Sequence, residues 1–265
     1  MTLDPLAALI MALPVITFVA LAVAERYGPT VPLRARSATA DHVLSLAGLA
    51  VQGAVVPGIG YLISSAVLPR LLPQAEGLLG LPFWGAFLLC FVGVDFLYYW
   101  QHRAFHRPGV LWRLHRCHHG APVVSVWSTA RNSLVTNFLF VYLIVNPWLA
   151  YLSGSVEGFM LAASVTASLD LWRHSRLAPR AYWRFLEWLL VTPRVHHQHH
   201  DALRDAANFA ANLTIWDRIF GTLRKEDTYP ASYADPGLPD AWSQLAHPFA
   251  LRRGRVRFNR LVRGG

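Results

Sequence analysis

Five apolar runs, at residues 6–24, 43–68, 81–100, 134–152 and 156–171, leave this chain few ways to fold. The first is 19 residues without a charge, and about 20 residues of helix cross the hydrocarbon core of a bilayer. The fifth is weaker, with Glu157 and Asp170 near its ends. Any single run could be a buried core helix, but 265 residues cannot enclose all five in a soluble core. At 54% hydrophobic and 15% charged, the composition is too apolar for an ordinary soluble domain. The expected fold is all-α: one membrane-embedded helical bundle over residues 1–265, carrying a helical cap. No basic residue precedes the first run, Pro14 interrupts it and further runs follow, so it is expected to be a retained span rather than a signal peptide. Pro57, Gly58 and Gly60 inside the second run leave room for a re-entrant hairpin.

Arginine sets the expected orientation. Arg26, Arg34 and Arg36 follow the first run, Arg103, Arg107, Arg113 and Arg116 follow the third, and Arg173, Arg176, Arg180 and Arg184 follow the fifth; the exit of the second has only Arg70 before Glu76. Positive charge collects on the cytoplasmic side, which puts the N-terminus outside. Between Pro179 and Pro193, residues 181–191 form an amphipathic stretch whose Tyr182, Trp183, Phe185 and Trp188 suit either the membrane interface or core packing. The net charge is +9, and Arg252, Arg253, Arg255, Arg257, Arg260 and Arg263 close the chain without an intervening acid. On a membrane protein such a tail is expected to meet anionic headgroups or solvent, not nucleic acid. Cys90 and Cys117 are too few for a disulfide framework.

Eight of the 12 histidines fall in three clusters: His102 and His106; His115, His118 and His119; His196, His199 and His200. Spacings of three and four turn the rings of each cluster toward one face of a helix, and neutral imidazole is a common ligand for transition metals. The orientation above gives all three clusters one compartment, the cytoplasmic one. Eight imidazoles exceed one ion's needs, so two metals are expected. His174, at the end of the fifth run, is a ninth candidate with a structural role as the alternative. His197 is turned off the face of His196 and His200 and is expected to lie outside the metal shell, while His42 and His247 stand alone. Cys117 is expected to be a free thiol rather than a ligand.

Asp95, Tyr98, Tyr99, His102 and His106 share one stripe of a helix leaving the membrane. A carboxylate inside a span is costly, so Asp95 is expected either to accept from a ligand histidine or to pair with an arginine of another helix, the former favoured. Imidazole suits iron, zinc, copper and nickel alike. Hydrolytic HExxH helices need a neighbouring glutamate, and carboxylate-bridged iron bundles need Glu-x-x-His, and neither pattern is present. An all-histidine pair of metals beside a bilayer fits oxygen activation best. A zinc-dependent membrane hydrolase and a non-enzymatic metal-binding membrane protein remain as alternatives.

The strings DFLYYWQHRAFH, LWRLHRCHHG, TPRVHHQHH and ANFAANLTIWDRIFGT, in that order, resemble the sterol desaturase and fatty acid hydroxylase superfamily over roughly residues 85–222. The resemblance implies that His102, His106, His115, His118, His119, His196, His199 and His200 hold two iron ions, and that dioxygen is used to hydroxylate or desaturate a lipid. It raises His174, in a histidine-serine pair often seen in the family, as a further ligand. Asn208 and Trp216, Asp217 and Arg218 match the family's NYG and WDRLFGT strings, with Phe209 and Ala210 in place of Tyr-Gly. Asp95, Tyr99 and Asn208 are expected to support the ligands from behind. On this reading residues 1–84 are an N-terminal transmembrane region, 85–222 the hydroxylase-like core and 223–265 a basic tail. With no fused haem, flavin or iron-sulfur domain in the sequence, electrons are expected from a separate cytochrome or ferredoxin type of protein.

Overall fold

In the computed structural model, which describes residues 5–32, 35 and 37–233, the first apolar run is α1, Pro5–Tyr27. Its side chains face outward nearly all round: Leu9 and Val15 are each 64% exposed, and only Ile10 and Glu25 are buried. Apolar surface left in water costs about 25 cal/mol per Å2, a penalty that vanishes in hydrocarbon, so α1 is built for lipid.

The second run is one helix, α2, Thr39–Leu71, with no re-entrant hairpin. A helical proline lacks an N–H and clashes with the carbonyl four residues back. Pro57 and Pro69 each follow a widened π-helical turn, Val51–Val55 and Ile63–Val67, which moves that carbonyl aside and lets the helix continue. The third run is α3, Phe83–Phe105, followed by the short α4, Val110–His115, and then α5, Thr136–Ser153, where Pro147 again follows a widened turn, Val141–Val145. These four long helices, α1, α2, α3 and α5, have the length and apolarity to cross a membrane, and the chain is an integral membrane protein.

The fifth run, α6, Val156–His174, falls short of that apolarity because it carries Glu157, Asp170 and Arg173. It packs along α1 and the start of α3. The approach to α3 is close at Gly158, where a Cβ would fall 2.2 Å from the carbonyl oxygen of Phe83.

Five helices in alternating directions bring the ends of α1, α3 and α6 and the starts of α2 and α5 to one face. Val31 N–H donates to Arg176 O (2.7 Å) and Glu25 accepts from the N–H groups of Val126 and Arg176 (3.0 and 2.8 Å), tying α1 to α6. Asp41 in the first turn of α2 pairs with Arg131 at 2.9 Å, and Thr136 donates to Leu114 O at 2.9 Å. At the opposite face the 72–82 linker bonds to the end of α5, as in Leu79 N–H to Leu152 O at 2.9 Å.

Residues 176–233 cap the first face with three short helices, α7 Trp183–Leu186, α8 Pro193–His199 and α9 Ile215–Ile219. There is no strand among the described residues; isolated bridges between Thr30 and Leu177 and between Leu190 and Leu213 pin the cap. Of the four aromatics in the amphipathic stretch only Trp183 is buried, while Tyr182, Phe185 and Trp188 are exposed. Core packing therefore accounts for one of the four aromatics. Arg34, Arg36, His247 and the closing arginines from Arg252 to Arg263 lie outside the described residues.

Candidate metal centre

All three histidine clusters converge beneath the cap, and the nitrogens of nine imidazoles fall into two groups. His102, His106, His115, His119 and His199 form one; His118, His174, His196 and His200 form the other. Within each group the ligand atoms lie within 4.8 Å of one another. The first cluster comes from the end of α3 and the turn after it, the second from α4 and the turn His118–Gly120, the third from α8 and its C-cap, and His174 from the last residue of α6. Rings of the two groups touch, with His119 stacked on His200 at 4.5 Å between centroids.

Backbone carbonyls decide the state of four rings. His102 Nδ1 faces Phe209 O at 2.8 Å, His118 Nδ1 faces Arg131 O at 3.0 Å, His199 Nδ1 faces Ala207 O at 2.8 Å, and His174 Nδ1 faces Asp170 O at 2.8 Å. A carbonyl oxygen only accepts, so each Nδ1 carries a proton, and in the neutral ring Nε2 is then the nitrogen left to present a lone pair. Burial, reinforced by the neighbouring rings, holds His106, His115, His119, His196 and His200 well below the ordinary imidazole pKa and takes His118 and His199 down to about 3. These rings are therefore neutral near pH 7, which is the ligand form.

Neutral rings then create a conflict that a cation resolves. His118 Nε2 and His174 Nε2 face each other at 3.2 Å, each ring having its Nδ1 on a backbone carbonyl. His174 Nε2 also meets His196 Nε2 at 3.0 Å, and His102 Nε2 meets His115 Nε2 at 3.1 Å. The Nε2 atoms of His106, His119 and His199 are buried without a hydrogen-bond partner. Buried polar atoms are seldom left unsatisfied, and a metal ion at the centre of each group accepts all of these lone pairs. The donor set fits two transition-metal ions.

His197 lies outside both groups, as its rotation on α8 implied: its two nitrogens are taken by Ser175 O (3.1 Å) and the Tyr233 hydroxyl (2.7 Å). His42 bonds its own helix at Ala38 O (3.0 Å). Cys117 is buried, with its thiol pKa pushed up by burial, and joins neither group.

Asp95 corrects the expectation attached to it. Its carboxylate accepts from the N–H groups of Asn212 and Leu213 (2.8 and 3.0 Å) and from Trp216 Nε1 (2.9 Å), and touches no histidine. The chain after α8 must turn back under the bundle, and a carboxylate acceptor satisfies two backbone donors that this turn would otherwise bury. Tyr99 and Asn208 likewise act on the 207–222 segment rather than on a ring. Tyr99 OH meets Thr222 Oγ1 at 3.0 Å, and Asn208, at φ +56°, bonds Val195 O and Arg224 O through its amide at 2.9 and 2.8 Å. Asn is among the few side chains that tolerate this left-handed geometry. Asp217 completes the brace by accepting from Phe209 and Ala210 N–H at 2.8 and 3.0 Å. The Phe209 ring, standing where the family has tyrosine, packs on His106 at 5.3 Å.

Sequence reasoning missed two residues. Asp170 sits one helical turn before His174, with Oδ1 3.0 Å from His174 Nδ1, and also pairs with Arg173 at 2.6 Å. Arg131, fully buried, gives its carbonyl to His118 and its guanidinium to Asp41 and Cys117 O. The Asp-x-x-x-His spacing was a usable signal for the first; nothing in the sequence marks a carbonyl. A cavity of about 20 Å3, room for one or two water-sized molecules, lies beside His118, His174 and His196 and is lined by Gln52, Tyr98, Tyr142 and Asp170.

A helical membrane bundle holding two all-histidine groups at one face defines a class of membrane metalloprotein. The fatty acid hydroxylase family model matches residues 87–222, just over half of the chain, and the chain belongs to that family. It is 34% identical over 141 residues to an alkylglycerol monooxygenase of Xenopus tropicalis, covering 52% of this chain and 30% of that protein. With the enzyme of the same name from Danio rerio it shares 35% identity over 172 residues, 62% of this chain and 37% of the relative. A very-long-chain aldehyde decarbonylase of Arabidopsis thaliana is 26% identical over 168 residues, 58% of this chain and 26% of the relative. The match thus spans about a third of the alkylglycerol monooxygenases. No solved structure matches the chain.

Proposed function

We propose that the protein is a membrane di-iron oxygenase that hydroxylates or desaturates a C–H bond of a lipid, using dioxygen and electrons from a separate donor protein. The observation that carries this reading is the pair of all-imidazole groups, whose lone pairs converge with no carboxylate among the ligand atoms. A zinc hydrolase would need a general base at its metal, whereas the carboxylate of Asp170 is already taken by His174 and Arg173. Iron bound in the two groups would supply the oxidant from dioxygen.

The rest is the work of the chain. His102, His106, His115, His119 and His199 would hold one ion and His118, His174, His196 and His200 the other. Eight of the nine histidines are buried, which keeps bulk water from the reacting centre. Backbone carbonyls of Phe209, Ala207 and Arg131 fix ring orientation, as buried acceptors behind metal-bound histidines do. The cavity beside His118, with Tyr98 and Tyr142 in its wall, gives a small reactant a place next to the second group. The lipid enters from the bilayer, and the histidine face is the cytoplasmic one, as the arginines after α1, α3 and α6 argue.

The test is purified protein loaded with iron and supplied with reductant, dioxygen and an alkylglycerol or a fatty acid. The expected outcome is two irons per chain and a product heavier by one oxygen or lighter by two hydrogens, absent in His118→Ala. Stoichiometric zinc with lipid hydrolysis and no oxygen uptake would replace this reading with the hydrolase.

A further inference from the structure

An oxygenase that takes its electrons from outside needs a place for them to enter, and the two histidine groups are not equally accessible. Among the nine histidines only His106 is not buried as a residue. The Trp112 ring rests on it at 5.3 Å between centroids and on His119 at 5.6 Å, so one indole bridges two members of the five-histidine group. Trp112 is itself half-buried, and Arg107, Pro108, Gly109, Val110 and Leu111 beside it are exposed. The other group has no such exposed member: its four histidines are all buried, and the cavity between the spans touches both groups, through His102 and His115 as well as His118, His174 and His196.

Charge marks the same turn. No acidic residue occurs between Asp95 and Glu157, a stretch that holds Arg103, Arg107, Arg113, Arg116 and Arg131. On the cap, exposed Arg184 pairs with Asp227 at 2.8 Å and exposed Arg204 with Glu226 at 2.7 Å, whereas Arg180 has no carboxylate partner among the described residues. Among the described residues Arg107 and Arg113 pair with no carboxylate.

We propose that the turn at residues 106–113 is the docking surface for the electron donor, an acidic one-electron carrier of the haem or iron-sulfur class, and that Trp112 and His106 form the contact through which electrons reach the five-histidine group. The proposal rests on the oxygenase reading above. Each turnover then draws two electrons in two dockings: dioxygen, a C–H bond, two electrons and two protons give an alcohol and water, and the donor is oxidised twice. Opposite charge on the two faces speeds encounter and makes the rate fall with salt.

The experiment uses the full chain in lipid nanodiscs with an acidic b-type cytochrome and an acidic two-iron ferredoxin as probes. The double variant Arg107→Glu with Arg113→Glu is compared with the parent in three readouts: donor affinity of the metal-free protein, donor-driven reduction of the iron-loaded protein followed by absorbance, and reduction by dithionite. We expect at least tenfold weaker donor binding, at least tenfold slower donor-driven reduction, loss of its salt dependence, and unchanged iron content and dithionite reduction. Trp112→Phe, which keeps an aromatic ring on His106, is expected to retain more of the rate than Trp112→Leu.

Donor binding and reduction that survive the charge reversal overturn the proposal, as does a parallel loss with dithionite, which marks a structural role. A variant that loses affinity for anionic vesicles but keeps donor-driven reduction makes the turn a headgroup contact and also overturns it. If the parent takes up electrons in a salt-dependent way yet transforms no lipid, the oxygenase reading fails while the docking surface stands.

Discussion

The two histidine groups look alike in composition and differ in what surrounds them. The five-histidine group takes every member from the three clusters, touches Trp112 and Phe209, and includes the one partly exposed histidine, His106. The four-histidine group is wholly buried, borrows His174 from α6, has the Asp170 carboxylate against that ring, and borders the polar cavity between α2, α3 and α5. Only the five-histidine group reaches the surface, at His106, while its His102 and His115 share the cavity wall with His118, His174 and His196 of the other group. The second and third clusters are each split between them: His118 parts from His115 and His119, and His199 from His196 and His200. Successive helical residues point about 100° apart, so a run of near-adjacent histidines serves two centres at once.

The strongest way to break this comparison is to remove one ligand from each side. His199→Ala should empty or weaken the five-histidine group and His174→Ala the other, each lowering iron from two per chain toward one. Both should reduce turnover by more than about 100-fold, since a reaction that needs both ions gains little from either alone. Iron quantification on protein purified from iron-replete cells separates the cases. If His174→Ala retains two irons, His174 is a structural histidine and the second group shrinks to three rings.

A smaller effect sharpens the difference further. In Asp170→Asn the group behind His174 loses its charge but keeps its shape. Removal of a carboxylate behind a ligand histidine weakens metal binding by about 10- to 100-fold. Titration with ferrous iron should show one weakened site and one unchanged, because no carboxylate touches a ring of the five-histidine group among the described residues. Two equally weakened sites would mean that the groups bind cooperatively and that the distinction between them is one of position only.

Much of this was legible before the fold was known, and the unread part has a common cause. Hydropathy located four spans because α1, α2, α3 and α5 meet lipid; it rated the fifth run weakest because Asp170, Arg173 and His174 point inward to serve the site. Spacing located the eight clustered histidines, since helix geometry converts offsets of three and four into a shared face. The split into five and four was hidden, because it depends on how α4, α8 and the turn at His118 cross in space. The braces were hidden for a different reason. Carbonyls of Ala207, Phe209 and Arg131 belong to every residue type, and only the left-handed Asn208 and the carboxylates Asp95 and Asp217 betray the segment that aims two of them. Asp95 was recognised as a functional carboxylate inside a span and given the wrong partner, for a side chain's cost says that it is satisfied and not by what.

That correction yields the last and smallest expected effect. Asp95 stands behind the segment that supplies carbonyls to His102 and His199, both of the five-histidine group, and it holds this segment only through Asn212, Leu213 and Trp216. Asp95→Asn leaves one carbonyl oxygen where two carboxylate oxygens accepted three donors, so at least one buried N–H loses its partner at a cost of about 1–3 kcal/mol. The stability loss should appear in thermal unfolding of the metal-free protein, while ferrous iron titration should retain both sites, with any weakening confined to the five-histidine group. A loss of iron from the four-histidine group alone would contradict the latch role, since that group draws no carbonyl from the segment Asp95 holds: His118 relies on Arg131 and His174 on Asp170.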